Sequence, residues 1–317
     1  LYDLTIVENH ASQAHKAFII LSIPQYEETF LPNFRNGDVV VLYERNNGTD
    51  NVTNKMVFKG NIESITDNEL RIRLRAAQQN PLVFPENSRY AVEHDTMDTT
   101  FRSMYLGLSS FMDANPERRE LLLGQRPPRF DMAYEDRIAR TTDDFERVAL
   151  KAEAACDYFL LVGPPGTGKT SRALRRMVEH FYACPSTQVL LLAYTNRAVD
   201  EICRSLSAIL PQVDYIRVGS ELSCDARFRK HLLENVLAEC NNRREVNIRM
   251  ADCRIYVGTV ASIASKPELF KLKHFDVAIV DEATQILEPQ LLGILCARFK
   301  DGRNGIGKFI LIGDHKQ

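Results

Sequence analysis

The stretch "GPPGTGKTS", Gly163–Ser171, decides the fold class of this chain. It matches the pattern G-x-x-x-x-G-K-[ST], and it lies between an apolar strand-like run and a helical pattern, as a phosphate-binding loop requires. Glycines allow such a loop to wrap phosphate groups and to aim backbone N–H groups at them. The sequence therefore predicts a site for a nucleoside triphosphate, formed by Gly163, Pro164, Pro165, Gly166, Thr167, Gly168, Lys169, Thr170 and Ser171.

Two side chains of this loop have distinct predicted roles. Lys169 is placed to reach the β- and γ-phosphates, and the Thr170 hydroxyl is placed to bind Mg²⁺. After residue 157, apolar strand-like runs alternate with helical patterns, which predicts an α/β fold with a parallel sheet. The predicted strands are "YFLLVG", "QVLLLAYT", "RIYVGT", "DVAIVD" and "KFILIGD". A longer polar, helix-like stretch at about 220–250 is predicted to be an inserted helical element.

An acidic pair follows one of these strands, in "VAIVDEATQ", residues 277–285. Ligands collect at the carboxyl ends of strands in open α/β sheets, and Asp281 lies at such an end. We expect Asp281 to hold Mg²⁺ through water, because this ion dehydrates reluctantly. Glu282 is placed to orient or deprotonate the attacking water. The position after a buried strand favours a functional pair over ordinary surface acids.

Three further strand ends carry hydroxyl or amide side chains, in "LLAYTNRAVDEI", "VGTVASIAS" and "LIGDHKQ". An ATPase that also grips a nucleic-acid strand needs small polar donors for phosphate oxygens at such ends. The candidate nucleic-acid residues are Thr195, Asn196, Thr259 and Ser262. Each of them alone is also explained as an ordinary helix N-cap, but that explanation does not account for the set.

The first part of the chain has a different pattern. Strand-like alternation runs from 37 to 92 and includes the Asn-Gly hairpin signal, which predicts a small β-barrel at 37–95 after a lead-in segment at 1–36. Arg71, Arg73 and Arg75 share one face of one strand; a solvated outer face is favoured over a groove that contacts phosphates. From Thr99 to Arg126 apolar residues recur at helical spacing, which predicts a helical stalk at 96–140. The predicted stripe is Phe101, Met104, Tyr105, Leu108, Phe111 and Met112.

Composition is that of an ordinary globular protein, with 317 residues, 44% hydrophobic residues and a net charge of −2. Acidic residues outnumber basic ones before residue 158, and the reverse holds after it, which permits a polyanionic partner. No apolar run is long enough for a bilayer, so no membrane partner is expected. The seven cysteines form no C-x-x-C pair and are expected to be reduced, buried thiols of a cytoplasmic protein. Since the first residue is Leu1, the sequence looks excised from a longer chain.

The strand ends, taken in order, resemble motifs I, Ia, Ic, II and III of superfamily 1 helicases. "DEATQ" followed by "EP", together with "GDHKQ", is similar to the branch that contains the nonsense-mediated-decay helicase, senataxin and the Okazaki-fragment helicase–nuclease. The resemblance covers 157–317. By position and type, the barrel and stalk look like that branch's accessory barrel and stalk, and the insertion looks like its second accessory element.

This resemblance implies a RecA-like P-loop domain at 141–317 that uses ATP and Mg²⁺. It implies 5′→3′ movement along single-stranded nucleic acid, and "AYTNRAVD" looks nearer to the members that act on DNA in replication and repair. In the family, Gln285 and the motif III glutamine, Gln317, contact the γ-phosphate. One departure is that the adenine-reading glutamine before motif I is replaced by Glu146, which puts adenine selectivity in doubt.

The resemblance also implies a second RecA-like domain, beyond residue 317 of the full-length chain, whose arginines reach over the phosphates. The 317 residues alone are therefore expected to hydrolyse ATP very poorly. Two alternatives stay open: an ATP-gated clamp that binds a single strand without unwinding, and an AAA-type remodeller of proteins, because "GPPGTGKT" is common among AAA-type enzymes. DNA and RNA also stay open, because backbone contacts carry no base information.

Overall fold

The computed structural model describes residues 1–13, 17–26, 33–85, 87–95, 99–209 and 213–314. The chain divides into two compact units, Leu1–Asp98 and Thr99–Gln317. The predicted stalk region and the predicted P-loop region thus belong to one unit.

The first unit is an antiparallel sheet of six strands that closes on itself. In sheet order the strands are β1 (Thr5–His10), β2 (Phe18–Ser22), β5 (Glu69–Leu74), β4 (Val57–Ile65), β3 (Val39–Glu44) and β6 (Tyr90–His94). Leu4, just before β1, exchanges two backbone hydrogen bonds of 3.0 and 2.9 Å with Tyr90 of β6. Leu1 and Val92 exchange two more, of 2.9 and 2.8 Å. These bonds join the two ends of the sheet into a barrel, which leaves no exposed edge there.

The barrel begins earlier than the sequence predicts. Residues 1–36 are not a separate lead-in, because β1 pairs with β2 and β2 pairs with β5 inside the barrel. The pattern is hard to recognise because β1 contains a bulge between Ile6 and Glu8, which interrupts the inward–outward alternation and leaves Val7 exposed. Where the sequence shows strand-like alternation, the structure has the four strands β3, β4, β5 and β6.

The arginines of β5 are engaged within the barrel. Arg71 and Arg73 each lie 2.8 Å from one oxygen of the Glu63 carboxylate. The Arg71 guanidinium also lies 3.8 Å from the centroid of the Phe18 ring. Arg75 is exposed. Two of the three guanidinium groups therefore share one carboxylate, which favours an ion-paired outer face over a phosphate groove.

The second unit contains a fully parallel sheet of six strands, so the predicted α/β fold with a P-loop parallel sheet is confirmed. In sheet order the strands are β7 (Tyr158–Val162), β12 (Ile306–Gly313), β11 (Phe275–Asp281), β8 (Val189–Ala193), β10 (Ile255–Thr259) and β9 (Tyr215–Val218). Buried apolar side chains form one cluster on each face of this sheet. The strands are almost continuously apolar because helices cover both faces.

Strand β9 is missing from the sequence prediction. It has four residues, and one of them is Arg217, which interrupts the apolar run. Arg217 is only 1% exposed, and its guanidinium pairs with the Asp200 carboxylate. A buried arginine that pairs with a carboxylate can therefore occupy a position within this edge strand, and sequence patterning alone does not anticipate that pairing.

Helices surround the parallel sheet. They are α1 (Thr99–Met112), α2 (Pro116–Leu122), α3 (Glu135–Arg140), α4 (Asp144–Ala154), α5 (Arg175–Ala183), α6 (Asn196–Ser207), α7 (Leu233–Ala238), α8 (Arg243–Asp252), α9 (Val260–Ala264), α10 (Glu268–Leu272) and α11 (Glu288–Leu295). The segment between β9 and β10 contains α7 and α8 together with 3₁₀ turns at Glu221–Ser223 and Ala226–His231. It corresponds to the helical stretch anticipated at about 220–250.

Helix α1 packs on α11 through glycine rather than through the predicted apolar stripe. A Cβ at Gly107 would collide with the carbonyl oxygen of Pro289, so the two backbones touch at this crossing. Tyr105, Leu108 and Met112 of the predicted stripe are exposed instead. Close helix approach requires the smallest residue at the contact, and hydrophobic periodicity does not report this. Phe111 does pack against a small buried cluster formed with α11.

Lys308 of β12 ties the end of α4 to the sheet. Its ammonium group donates hydrogen bonds of 3.0, 2.7 and 2.9 Å to the carbonyl oxygens of Ala152, Glu153 and Ala155. Carbonyls at a helix C-terminus lack partners within the helix, so one side chain satisfies three of them. Burial lowers the pKa of Lys308 to about 8, against its ordinary value of 10.5.

We expect Lys308→Met to lower the free energy of unfolding by about 2 kcal/mol, because three half-buried carbonyls lose their donor while the aliphatic stem is kept. Chemical denaturation monitored by circular dichroism measures this. Lys266→Met, at an exposed position, is the matched control and should change stability by less than about 0.5 kcal/mol. Equal effects of the two substitutions would contradict the capping role.

All seven cysteines are free thiols. Cys203, Cys224, Cys253 and Cys296 are buried, whereas Cys156 and Cys184 are exposed, contrary to the expectation that all are buried. Among the described residues, none of the helices combines the length and the apolar character that crossing a membrane demands.

Candidate nucleotide-binding site

The predicted site residues of motifs I, Ia, Ic and II follow strands that end at one edge of the parallel sheet. In the strand pairing, Asp281 of β11 lies beside Ala193 of β8, and Ala193 lies beside Thr259 of β10. On the other side, Gly313 of β12 lies beside Val162 of β7, the residue before the P-loop. Parallel register therefore brings segments that are far apart in sequence to one edge.

The P-loop backbone depends on its glycines. Gly166 and Gly168 have φ angles of +80° and +83°, a region that side-chain-bearing residues rarely adopt. The ammonium group of Lys169 donates hydrogen bonds of 2.5 and 2.8 Å to the carbonyl oxygens of Gly163 and Pro164. The Lys169 side chain thus folds back onto its own loop, and its ammonium group lies where the phosphates are expected to bind.

The helix after the loop begins as a π-helix, Lys169–Leu174, and continues as α5. The N–H of Ala173 donates to the carbonyl of Gly168 at 3.0 Å, which is the wider hydrogen bond of this geometry. Short π segments occur frequently at functional sites, and here the segment starts at the predicted phosphate-contacting lysine.

The Thr170 hydroxyl and the Asp281 carboxylate meet. Thr170 Oγ1 donates a hydrogen bond of 2.5 Å to Asp281 Oδ2, although 111 residues separate them. Asp281 is only 2% exposed, and burial raises its pKa, although hydrogen bonds from Thr170 and from the Glu282 N–H oppose this change. A hydroxyl and a carboxylate side by side are oxygen ligands of the kind that Mg²⁺ takes in proteins, so the pair fits this ion.

Glu282 has a strained backbone beside this pair. Its φ is +52°, in the left-handed region, and its N–H donates to Asp281 Oδ1 at 2.9 Å. Strained conformations of this kind cluster at functional sites, because the surrounding structure must hold them in place. Burial raises the pKa of the Glu282 carboxyl, and the neighbouring Asp281 charge adds to this, while Arg197 opposes it. A carboxylate with a raised pKa is a better proton acceptor.

Arg197 was not singled out from the sequence. It lies in α6, one residue after Asn196, and is exposed. Its positive charge nevertheless acts to lower the pKa of Glu282. The available signal was its place inside "TNRAVD", directly after the β8 strand end. Sequence order alone could not show that this end faces the acidic pair.

Motif II and the end of β12 are in close contact. A Cβ at Gly313 would come within 2.8 Å of Thr284 Cγ2, so glycine is required for the approach. The side chain of Gln285 is exposed, and its N–H donates to the Glu282 carbonyl at 3.0 Å within the 3₁₀ turn Ala283–Gln285. Gln317 lies outside the described residues, so its role stays a prediction.

The predicted nucleic-acid residues lie at helix starts. Thr195 is the N-cap of α6 and accepts a hydrogen bond of 3.1 Å from the N–H of Ala198. Thr259 is the N-cap of α9, where it accepts one of 3.1 Å from the N–H of Ser262 and donates one of 2.8 Å to the Ser262 hydroxyl. Asn196 begins α6. Capping therefore employs both threonines, and contact with nucleic acid remains a prediction for all four.

Glu146, at the position of the family's adenine-reading glutamine, is engaged in ion pairs. Its carboxylate oxygens lie 2.7 Å from Arg176 Nε and 3.1 Å from His180 Nε2. Burial opposes ionisation of this carboxyl, but the hydrogen bonds from His180 and Arg176 outweigh burial and hold its pKa below the ordinary value.

Comparison with known proteins identifies the family. A family model described as an AAA domain matches residues 141–254 and 241–317, which together make up more than half of the chain. The chain belongs to this family. Within it, the chain is a superfamily 1 helicase segment of the branch that the motifs indicated.

Individual relatives agree with this placement. The chain is 27% identical over 249 residues to the "DNA replication ATP-dependent helicase/nuclease DNA2" of Gallus gallus, an alignment that covers 74% of this chain and 24% of that protein. It is 30% identical over 137 residues to the "RNA helicase Mov10l1" of Homo sapiens, covering 42% of this chain and 11% of that protein. The helicase segment thus spans about a quarter or less of these two relatives.

A solved structure, the UvsW helicase from Bacteriophage T4, is 10% identical and aligns with 58% of this chain and 61% of that chain, with a TM-score of 0.37. That likeness is too slight to carry an argument.

Proposed function

We propose that this chain is the nucleotide-binding part of an ATP-dependent helicase that moves 5′→3′ along single-stranded nucleic acid, with DNA favoured over RNA. The observation that carries the proposal is the hydrogen bond between Thr170 and Asp281 at the carboxyl edge of the sheet. It joins the P-loop to the acidic pair in the arrangement that ATP hydrolysis requires. The DNA preference rests on the helicase/nuclease relatives, whose names refer to DNA replication.

Each residue of the site has a proposed task. The P-loop N–H groups and Lys169 would hold the triphosphate, and Thr170 and Asp281 would hold Mg²⁺, which would neutralise charge on the phosphate oxygens. Glu282 accepts a proton from the water that attacks the γ-phosphorus, and Gln285 contacts the γ-phosphate side of the site. Gln317 is proposed to act with Gln285, and a second RecA-like domain of the full-length chain is proposed to supply the arginines.

The nucleic-acid strand is proposed to cross the carboxyl edge of the sheet. Thr195, Asn196, Thr259 and Ser262 lie at the ends of β8 and β10, two neighbouring strands, and supply hydroxyl and amide donors there. Such contacts to the backbone position a strand without reading its sequence. Because β8 also neighbours β11, the same edge carries the acidic pair, so strand binding and hydrolysis are close enough to influence each other.

The full-length protein tests this proposal. We expect its ATP hydrolysis to be stimulated at least tenfold by single-stranded DNA, and we expect it to unwind a duplex with a 5′ overhang but not one with a 3′ overhang. Release of inorganic phosphate measures ATP hydrolysis, and a fluorescence assay of strand separation measures unwinding. Stimulation without strand separation would favour an ATP-gated clamp. Hydrolysis indifferent to both DNA and RNA strands would favour a protein remodeller.

A further inference from the structure

A pocket lined by positive charges lies at the opposite edge of the parallel sheet from the candidate nucleotide site. Arg204 and Ser207 line it from the last turn of α6, a helix that starts directly after the carboxyl end of β8 and runs back for about 18 Å. His231 lines it from the segment after β9 and stacks on Tyr215, the first residue of β9, with 3.9 Å between the ring centroids. The pocket is therefore separate from the P-loop and the acidic pair.

The inner wall of this pocket is formed by aromatic rings that the core holds in place. Phe228 lines the pocket and is 6% exposed, and Tyr215, on which His231 stacks, is 2% exposed. Both Phe228 and Tyr215 belong to the apolar cluster on one face of the sheet. Burial lowers the pKa of His231, and the nearby charge of Lys230 lowers it further, so the imidazole is neutral at neutral pH. An uncharged aromatic wall suits the carbon part of a ligand.

The cations that line the pocket keep N–H donors without partners among the described residues. Lys230 is exposed, and within the part of the chain that the structure describes its ammonium group forms no ion pair with a carboxylate. Arg204 donates to Glu201 through Nη1, which leaves its Nε and Nη2 for another acceptor. Arg227 donates to Asp225 through Nε and Nη2, at 3.0 and 2.7 Å, which leaves its Nη1.

The existing ion pairs compete weakly for these cations. The hydrogen bonds from Arg227 hold the pKa of the Asp225 carboxyl low, and the charge of Arg204 adds to this, so both guanidinium groups act on one carboxylate. The three lining cations outnumber Asp225 and Glu201, the carboxylates that pair with them. Ion pairs at exposed positions contribute little, whereas guanidinium groups bind phosphate oxygens through charge-assisted hydrogen bonds. A phosphate can therefore engage the two arginines at small cost.

The volume of the pocket limits the size of its ligand. It is about 260 Å³, below the roughly 300–1,000 Å³ of sites for drug-sized ligands. It is nevertheless several times the share of one water in the liquid, about 30 Å³, so a phosphate group alone leaves much of it empty. A phosphate that carries a few carbon atoms matches both the volume and the lining, which combines cations with aromatic rings.

We propose that this pocket binds a phosphate group carried on a small organic molecule. The phosphate lies between Arg204, Arg227 and Lys230, and the carbon part of the ligand packs against Phe228 and His231. The site is distinct from the nucleotide site, and it does not depend on the proposed helicase activity.

The test is a calorimetric titration of the full-length protein with ribose 5-phosphate, in an excess of Mg²⁺–ADP that occupies the P-loop. We expect one saturable site with a Kd of about 0.1 mM or lower, weaker binding of inorganic phosphate and no binding of ribose. Arg204→Gln and Lys230→Gln should each weaken binding of ribose 5-phosphate at least about tenfold, the effect of losing a charge-assisted hydrogen bond. Lys169→Met should bind ribose 5-phosphate as the wild type does.

Arg243→Gln is the matched control, because Arg243 is an exposed arginine of α8 that does not line the pocket. It should bind ribose 5-phosphate as the wild type does. Loss of this binding in Lys169→Met would overturn the proposal, since the P-loop would then be the site. Competition by a single-stranded oligonucleotide whose own binding is weakened by Arg204→Gln and Lys230→Gln would overturn it in favour of a nucleic-acid chain. The absence of saturable binding of either phosphate up to about 10 mM would also overturn it.

Discussion

Replacing Glu282 by glutamine should leave Mg²⁺–ATP binding within about threefold of wild type and slow strand-stimulated hydrolysis by about 10²- to 10⁴-fold, the contribution of a positioned general base. Glutamine is close in size to glutamate, so the left-handed backbone at this position and the hydrogen bond to Asp281 should be kept. What is lost is the group that accepts the proton of the attacking water. Single-turnover hydrolysis and equilibrium nucleotide binding, measured on the full-length protein, separate the two effects.

Glu288→Gln provides the control, because Glu288 is an exposed acid in the first turn of α11, shortly after the same motif. It should hydrolyse ATP at the wild-type rate. A Glu282→Gln variant within threefold of wild type would exclude Glu282 as the base.

Replacing Lys169 by methionine should weaken nucleotide and tripolyphosphate binding at least 100-fold and abolish hydrolysis. Methionine keeps much of the aliphatic stem, so the change removes the charge that lies against the Gly163 and Pro164 carbonyls. Without that charge, the negative oxygens of the β- and γ-phosphates lose their closest protein cation. Calorimetry on the full-length protein measures the affinity.

Lys151→Met, on the exposed side of α4, is the control for removing one lysine from the same unit. It should bind nucleotide as the wild type does. Circular dichroism of both variants verifies that they are folded, so that a loss of binding reports the site. Equal affinities of Lys169→Met and wild type for tripolyphosphate would refute the phosphate assignment of the loop.

The sequence was sufficient for the parts of the fold that follow local patterns. The P-loop, the acidic pair and five strands of the parallel sheet were predicted because each is a short contiguous stretch of sequence. Apolar runs indicate buried strands, and the glycines of the P-loop indicate a backbone that wraps phosphates. The sequence analysis assigned Thr170 and Asp281 to Mg²⁺ separately, and the structure brings the two side chains within hydrogen-bond distance of each other.

The remaining features depend on partners that are distant in sequence. Strand β9 was missed because Arg217 can be buried only through its ion pair with Asp200, which is distant in sequence. Strand β1 was missed because a bulge interrupts the alternation of its side chains. The contact between the Phe145 ring and the Arg172 guanidinium joins the helix that precedes β7 in sequence to the helix that follows the P-loop, and no local sequence pattern predicts it. The face that α1 buries was predicted only in part: Phe111 packs as predicted, but the close contact at Gly107 needs a residue without a side chain, which hydrophobic periodicity does not report.

The crossing of α1 and α11 at Gly107 also limits how the two helices can move relative to each other. Because the Gly107 backbone rests on the Pro289 carbonyl without an intervening side chain, no rotamer change can absorb a relative displacement of the two helices. Helix α11 begins shortly after the motif that carries Asp281 and Glu282. We therefore expect a shift of that motif that moves α11 to displace α1 with it, so that the crossing links the candidate nucleotide site to the first helix of the predicted stalk.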